Sequence, residues 1–83
     1  MMSLMKDTIL RSAEQLGMII RLKRQEKGLS QAALAKLLGV ERKWVLRLEA
    51  GNPRAELGSV LKALDALGIW ASLSTHLHKY GDV

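Results

Sequence analysis

The 83-residue sequence predicts a small all-α bundle of four or so short helices, closed by one short C-terminal strand. Three observations carry that prediction. Apolar residues recur at spacings of three and four in successive short runs, which gathers them on one face of a helix. Gly28, Gly39, Gly51 and Gly68 each stand where such a run stops, the usual place for a helix-ending glycine. After Gly68 the period changes to strict alternation, which is a strand pattern.

Length and composition bound the answer. A chain this short is one domain, and its core is too small to be more than marginally stable alone. It has no cysteine, so neither a disulfide nor a thiolate metal site can staple it. Hydrophobic residues make up 48%, too many for a disordered chain. The opening "MMSLMKDTIL" has no long apolar run and reads as neither a signal peptide nor a membrane span, so a cytoplasmic protein is expected. Thirteen Lys and Arg against eight Asp and Glu leave a net charge of +5. That excess suits a polyanionic partner such as nucleic acid, although a merely basic soluble protein would look the same.

Residues 1–11 read as an N-terminal arm, and residues 12–67 as the folded domain. The first helix starts at Ser12, whose capping-box partner would be Gln15, and runs from about Ala13 to Lys27. Leu16, Ile19 and Ile20 share one of its sides. Ser30 caps a second helix in which Leu34, Leu37 and Leu38 share a face, and Gly39 ends it after about two turns. A third helix follows in "ERKWVLRLEA", where Val45 and Leu48 project together with Val40 behind them. "NPRAEL" is a turn. The fourth helix covers about Glu56 to Leu67, with an apolar stripe of Leu57, Val60, Leu61, Leu64 and Leu67. In residues 68–75, Ile69, Ala71 and Leu73 alternate with Trp70, Ser72 and Ser74. A lone strand has an unpaired edge. The economical partner is the same strand of a second copy, so a homodimer is expected with Leu64, Leu67, Ile69, Trp70, Ala71 and Leu73 at its interface; the alternative is a coiled extension packed on the fourth helix. Residues 76–83 read as a polar tail.

Helices of two to three turns do not stand alone in water. The second and third can stand if they cross steeply on the first. Small residues Ala32, Ala33 and Ala35 permit close approach, and Gly39 makes the turn. This is a helix-turn-helix over about residues 30–51, whose second helix is free to enter the DNA major groove.

The stretch "LSQAALAKLLGVERKWVLRLEAG" resembles the phage-repressor, or Xre/Cro-type, helix-turn-helix signature. The resemblance rests on Ser30, Gln31, Leu34, Ala35, Gly39, Val40, Leu48, Glu49 and Gly51, and extends over about residues 16–67. The flanks "SAEQLGMIIRLKRQEKGLSQ" and "RAELGSVLKALDALGIWASLS" are similar to the first and last helices of HipB-type antitoxins. Those proteins are small autoregulatory dimers that restrain a HipA-like serine/threonine kinase toxin. The resemblance implies the same fold and function here: a cytoplasmic, dimeric repressor of a pseudo-palindromic DNA operator, with a HipA-like kinase as toxin partner.

The same resemblance implies residue roles. Gln31 would bond a DNA phosphate, and Arg42, Lys43 and Arg47 would read bases or clamp phosphates. An arginine fork there suits O6 and N7 of guanine. Glu41 departs from the family's usual Ser or Thr cap, but lies in the same DNA-facing set. Trp44 is unusual on such a helix, and packing competes with DNA contact for it. Arg24 and Glu49 match a structural ion pair that ties the first helix to the third. Lys23 stands where relatives often have an apolar residue, so its stem is expected to cover the core.

No cofactor or metal site is expected, since His76 and His78 have no third ligand nearby in sequence. No catalytic constellation appears, so the chain is not expected to be an enzyme. Two other readings stay open: a stand-alone Xre-type repressor without a toxin, and a protein-interaction module that no longer reads DNA.

Overall fold

A computed structural model describes residues 8–75. The first seven residues of the N-terminal arm and the tail of residues 76–83, with His76 and His78, lie outside the described residues. Among the described residues, four helices make up the regular structure: α1 (Ala13–Glu26), α2 (Gln31–Leu38), α3 (Arg42–Glu49) and α4 (Leu57–Ala66). The all-α bundle expected from periodicity is therefore the observed fold.

Each helix begins where a polar side chain or backbone can satisfy its free amides. Ser12 Oγ accepts from the Gln15 amide at 3.0 Å. Gln15 does not close the expected capping box onto Ser12, however. Its Oε1 accepts from the Arg11 amide, and its Nε2 donates to the Ile9 carbonyl at 2.9 Å, so it pins the incoming arm one residue earlier. Ser30 Oγ accepts from the Ala33 amide at 2.9 Å. Glu56 caps α4, its Oε1 accepting from the Ser59 amide at 3.2 Å and the Ser59 hydroxyl at 2.7 Å. Glu41, at the head of α3, makes no side-chain cap.

The turn between α2 and α3 depends on Gly39, which has φ 71° and ψ 32°. That left-handed conformation suits glycine. It lets the Val40 amide turn back to the Ala35 carbonyl at 3.0 Å.

The core gathers Ile20, Leu34, Ala35, Val45, Leu48, Val60, Ala63, Leu64 and Leu67, with Leu16, Leu29, Leu38, Val40, Trp44, Ala55 and Ile69 packed around it. α2 packs on α3 and α4, and α1 packs on α3. Gly17 makes the α1–α3 contact possible. A Cβ there would stand 2.5 Å from the Leu48 carbonyl oxygen and 2.6 Å from that of Glu49. Gly51, just past α3, has φ 93° and lies against the first turn of α1, where a Cβ would meet Glu14 Cγ at 2.9 Å.

Several burial expectations are corrected. Leu37 is exposed, while Leu34 and Ala35 supply the buried face of α2. On α4 the buried line runs through Val60, Ala63, Leu64 and Leu67, whereas Leu57 and Leu61 face solvent. Leu64 and Leu67, expected at a dimer interface, lie inside the core of the single chain, where their apolar area is already covered. Residues 69–75 carry no regular structure in the single chain, and no strand occurs among the described residues. Trp70 and Leu73 are 93% and 99% exposed, Ala71 is also exposed, and Ile69 packs partly on the core. No helix among the described residues is long and apolar enough to cross a membrane.

Candidate nucleic-acid interface

α3 is an amphipathic helix of eight residues. Val45 and Leu48 point into the core, and Trp44 is half-buried beside them. Arg42, Lys43 and Arg47 are left exposed on the other sides, with Glu41 exposed ahead of them. Burial thus divides the residues named for DNA contact. Glu41, Arg42, Lys43 and Arg47 lie open to solvent, and Gln31 is half-buried at the head of α2. Trp44 spends much of its surface on packing.

Gln31 and Arg42 meet across the two helices. Arg42 Nη1 donates to Gln31 Oε1 at 3.0 Å. Gln31 Nε2 donates in turn to Glu49 Oε1 at 3.1 Å. Glu49 lies against Arg24, whose Nε donates to Oε2 at 2.6 Å and whose Nη2 donates to Oε1 at 3.0 Å. Arg24 completes its fork through Nη1 to the Leu29 carbonyl at 2.8 Å. Both side chains of the pair are buried, 10% and 4% exposed. The hydrogen bond to Glu49 raises the Arg24 pKa above its ordinary value, outweighing desolvation, which acts the other way.

This ion pair joins α1 to α3, so the last turn of α3 is held from inside the domain. A buried pair of this kind is costly to desolvate and is sustained only by good geometry and further hydrogen bonds. Here all of those bonds are made: no buried side-chain nitrogen or oxygen among the described residues lacks a partner. Lys23 spends its ammonium on Glu26 at 2.8 Å instead of leaving it free.

Two further arginines join this face, and neither stands out in the one-dimensional pattern. Arg54 lines a shallow open groove with Arg47, Ala50, Gly51 and Asn52. Asn52 shapes that loop, its Oδ1 accepting from the Arg54 amide at 3.0 Å. Arg21 borders a second depression with Arg24, Gln31, Leu46, Glu49 and Ala50. The available signals were Pro53, which turns the chain back beside α3, and the spacing of three between Arg21 and Arg24. Exposed guanidinium and ammonium groups with an amide between them can bind phosphate oxygens and acceptors on base edges. Among the described residues no group of His, Cys, Asp and Glu is placed to hold a metal ion.

The family model of the helix-turn-helix domain matches residues 15–77. A curated relative, the uncharacterized HTH-type transcriptional regulator y4mF of Sinorhizobium fredii, is 37% identical over 59 residues, which are 71% of this chain and 78% of that protein. Among solved structures, the chain is similar to one in the HipA-HipB-O2-O3 complex, with a TM-score of 0.74 and 26% identity over 82% of this chain and 96% of that one. It is also similar to the restriction-modification controller protein C.AhdI from Aeromonas hydrophila. There the TM-score is 0.63 and identity 38%, over 70% of this chain and 84% of the other.

Proposed function

Because this chain belongs to the helix-turn-helix domain family and is a DNA-binding transcriptional regulator rather than an enzyme, we propose that it is an autoregulatory repressor and the antitoxin partner of a HipA-like kinase. The observation that carries the DNA-reading part is the division of α3. Val45 and Leu48 anchor it, while Arg42, Lys43 and Arg47 stand open to solvent and Arg42 is already joined to Gln31. In this reading, Arg42 and Lys43 meet base edges near the head of the recognition helix, and Arg47, with Arg54, faces phosphate. Gln31 adds its amide to a phosphate through the second Nε2 hydrogen, which Glu49 leaves unused.

The repressor acts as a homodimer. The alternating segment of residues 68–75 pairs with its copy, and Leu57, Leu61, Trp70 and Leu73 lose their exposure there. Two-fold symmetry then requires a pseudo-palindromic site with half-site centres roughly 34–36 Å apart, or a multiple. What supports the kinase partnership is the fold shared with HipB over nearly the whole of that chain. What supports a second reading, a stand-alone regulator without a toxin, is the higher identity to the controller protein C.AhdI.

The test is recovery of fragmented source-genome DNA by the purified protein at about 150 mM salt, followed by sequencing. Sharp peaks over a two-fold-symmetric site upstream of this gene, with a kinase-like reading frame beside it that the protein co-purifies with, are expected. Peaks without such a neighbour favour the stand-alone regulator. Broad recovery that fades with salt overturns sequence-specific repression. In the same assay, replacing Arg42 and Arg47 together by Ala abolishes the peaks if α3 is the reading helix.

A further inference from the structure

We propose that Glu49 is a positioning residue for DNA reading: through the Gln31 amide, this buried carboxylate sets the orientation of the exposed Arg42. The proposal rests on the reading of α3 given above and adds to it a residue buried behind the interface.

Hydrogen-bond polarity dictates this orientation. A carboxylate only accepts, and a guanidinium only donates. Gln31 lies between one of each, 3.1 Å from Glu49 Oε1 and 3.0 Å from Arg42 Nη1. Its amide can therefore take one of its two flips and not the other. With Nε2 turned to Glu49, Oε1 must face Arg42 and accept from it. Glu49 is itself fixed by two bonds from Arg24, and Arg24 by a third to the Leu29 carbonyl. An unbroken polar chain thus leads from the domain interior to a side chain at the head of the recognition helix. An arginine held in place before DNA arrives loses less freedom on binding than one that must be ordered then.

The isosteric change Glu49→Gln separates this role from simple support. The carbonyl of the new amide keeps the shorter of the two Arg24 bonds, from Nε at 2.6 Å, so its NH2 group takes the place of Oε1 and faces Gln31 and Arg24 Nη2. Gln31 then flips, its own NH2 meets the Arg42 guanidinium donor against donor, and Arg42 is released. Arg24→Lys serves as the comparison, because it disturbs the same ion pair but leaves the carboxylate in place for Gln31.

The experiment is selection from a randomised duplex-DNA pool by the full chain, with circular dichroism confirming that each variant is folded at the working temperature. R42A identifies the base pair that Arg42 reads. E49Q is expected to relax preference at that same pair, by roughly fivefold or more if the contact is bidentate, and E49Q combined with R42A no further. R24K is expected to lower the melting temperature and keep the preference. Preference unchanged in E49Q, relaxed elsewhere, or relaxed equally in R24K overturns the proposal. If R42A itself changes nothing, the base-reading role of Arg42 fails and takes the proposal with it, a result distinct from failure of E49Q alone. Should E49Q not fold, Gln31→Met breaks the relay without touching the buried pair, and must relax the same base pair.

Discussion

Gly17 of α1 and Leu48 of α3 lie so close that a Cβ on the glycine would stand 2.5 Å from the Leu48 carbonyl oxygen. The contact is with backbone, which cannot swing aside as a side chain can. It fixes how near the first helix comes to the recognition helix.

Gly17→Ala is therefore expected to destabilise the domain although alanine is the better helix former by about 1 kcal/mol. Overpacking against fixed backbone costs about 1–3 kcal/mol or more. In a domain of this size, each kcal/mol is about 4–8 °C of melting temperature. A thermal melt that rises in G17A would show that α1 can slide away from α3 freely.

The Arg24–Glu49 pair gives a second prediction. Arg24→Met leaves a buried carboxylate without its cation and is expected to cost about 3–5 kcal/mol in urea denaturation at neutral pH. Replacing both partners, R24M with E49L, is expected to recover much of that loss, because the unpaired charge is gone. A double variant no better than R24M would mean that the pair contributes mainly through its hydrogen bonds to Leu29 and Gln31.

Arg54 supplies a third prediction, concerning DNA. If it faces phosphate, Arg54→Gln weakens binding to all sequences alike and reduces the slope of log affinity against log salt by about 1. Titration of one duplex at several salt concentrations measures this. A slope that does not change removes Arg54 from the interface.

Acid should loosen α4 through its cap. The hydrogen bonds from the Ser59 hydroxyl and amide hold the Glu56 carboxyl below its ordinary pKa of 4.5. A carboxyl whose pKa is lower when folded stabilises the fold above its unfolded pKa, and that stability disappears as pH falls through the folded value. Glu56→Gln should therefore weaken the protein near neutrality and match the wild type at the acid end. Melts of both proteins between about pH 7 and pH 3 test this, since parallel curves would mean that the cap contributes nothing that titrates.

The helix boundaries were readable because their signals are local. Ser12 and Ser30 cap, glycines stop, and each acts within four residues. The burial pattern was less readable because periodicity names a stripe without saying which neighbour it meets. Leu57, Leu61 and Leu64 share one stripe of α4. The packed face is rotated toward Ala63, whose small side chain lets α4 come close. Leu64 and Leu67 read equally well as contacts to a second copy, since an apolar residue looks the same whether its own domain or another covers it. The two buried ends of the polar relay were legible as a pair from family resemblance. Its passage through Gln31 to Arg42 was not, because residues 18 and 11 apart in sequence meet only once the helices cross. Gly17 left only the weak signal of a glycine inside a helical run.

The chain has two tryptophans and no phenylalanine. Trp44 is half-buried on the recognition helix, and Trp70 is 93% exposed on the segment after α4. The molecule therefore carries its own pair of optical probes. One indole sits in a partly apolar setting beside the DNA face, and the other in water where a second copy would dock. Emission from Trp44 should respond to an added duplex, and emission from Trp70 to dilution. A single-tryptophan variant of each would let the two events be followed separately, without any attached dye.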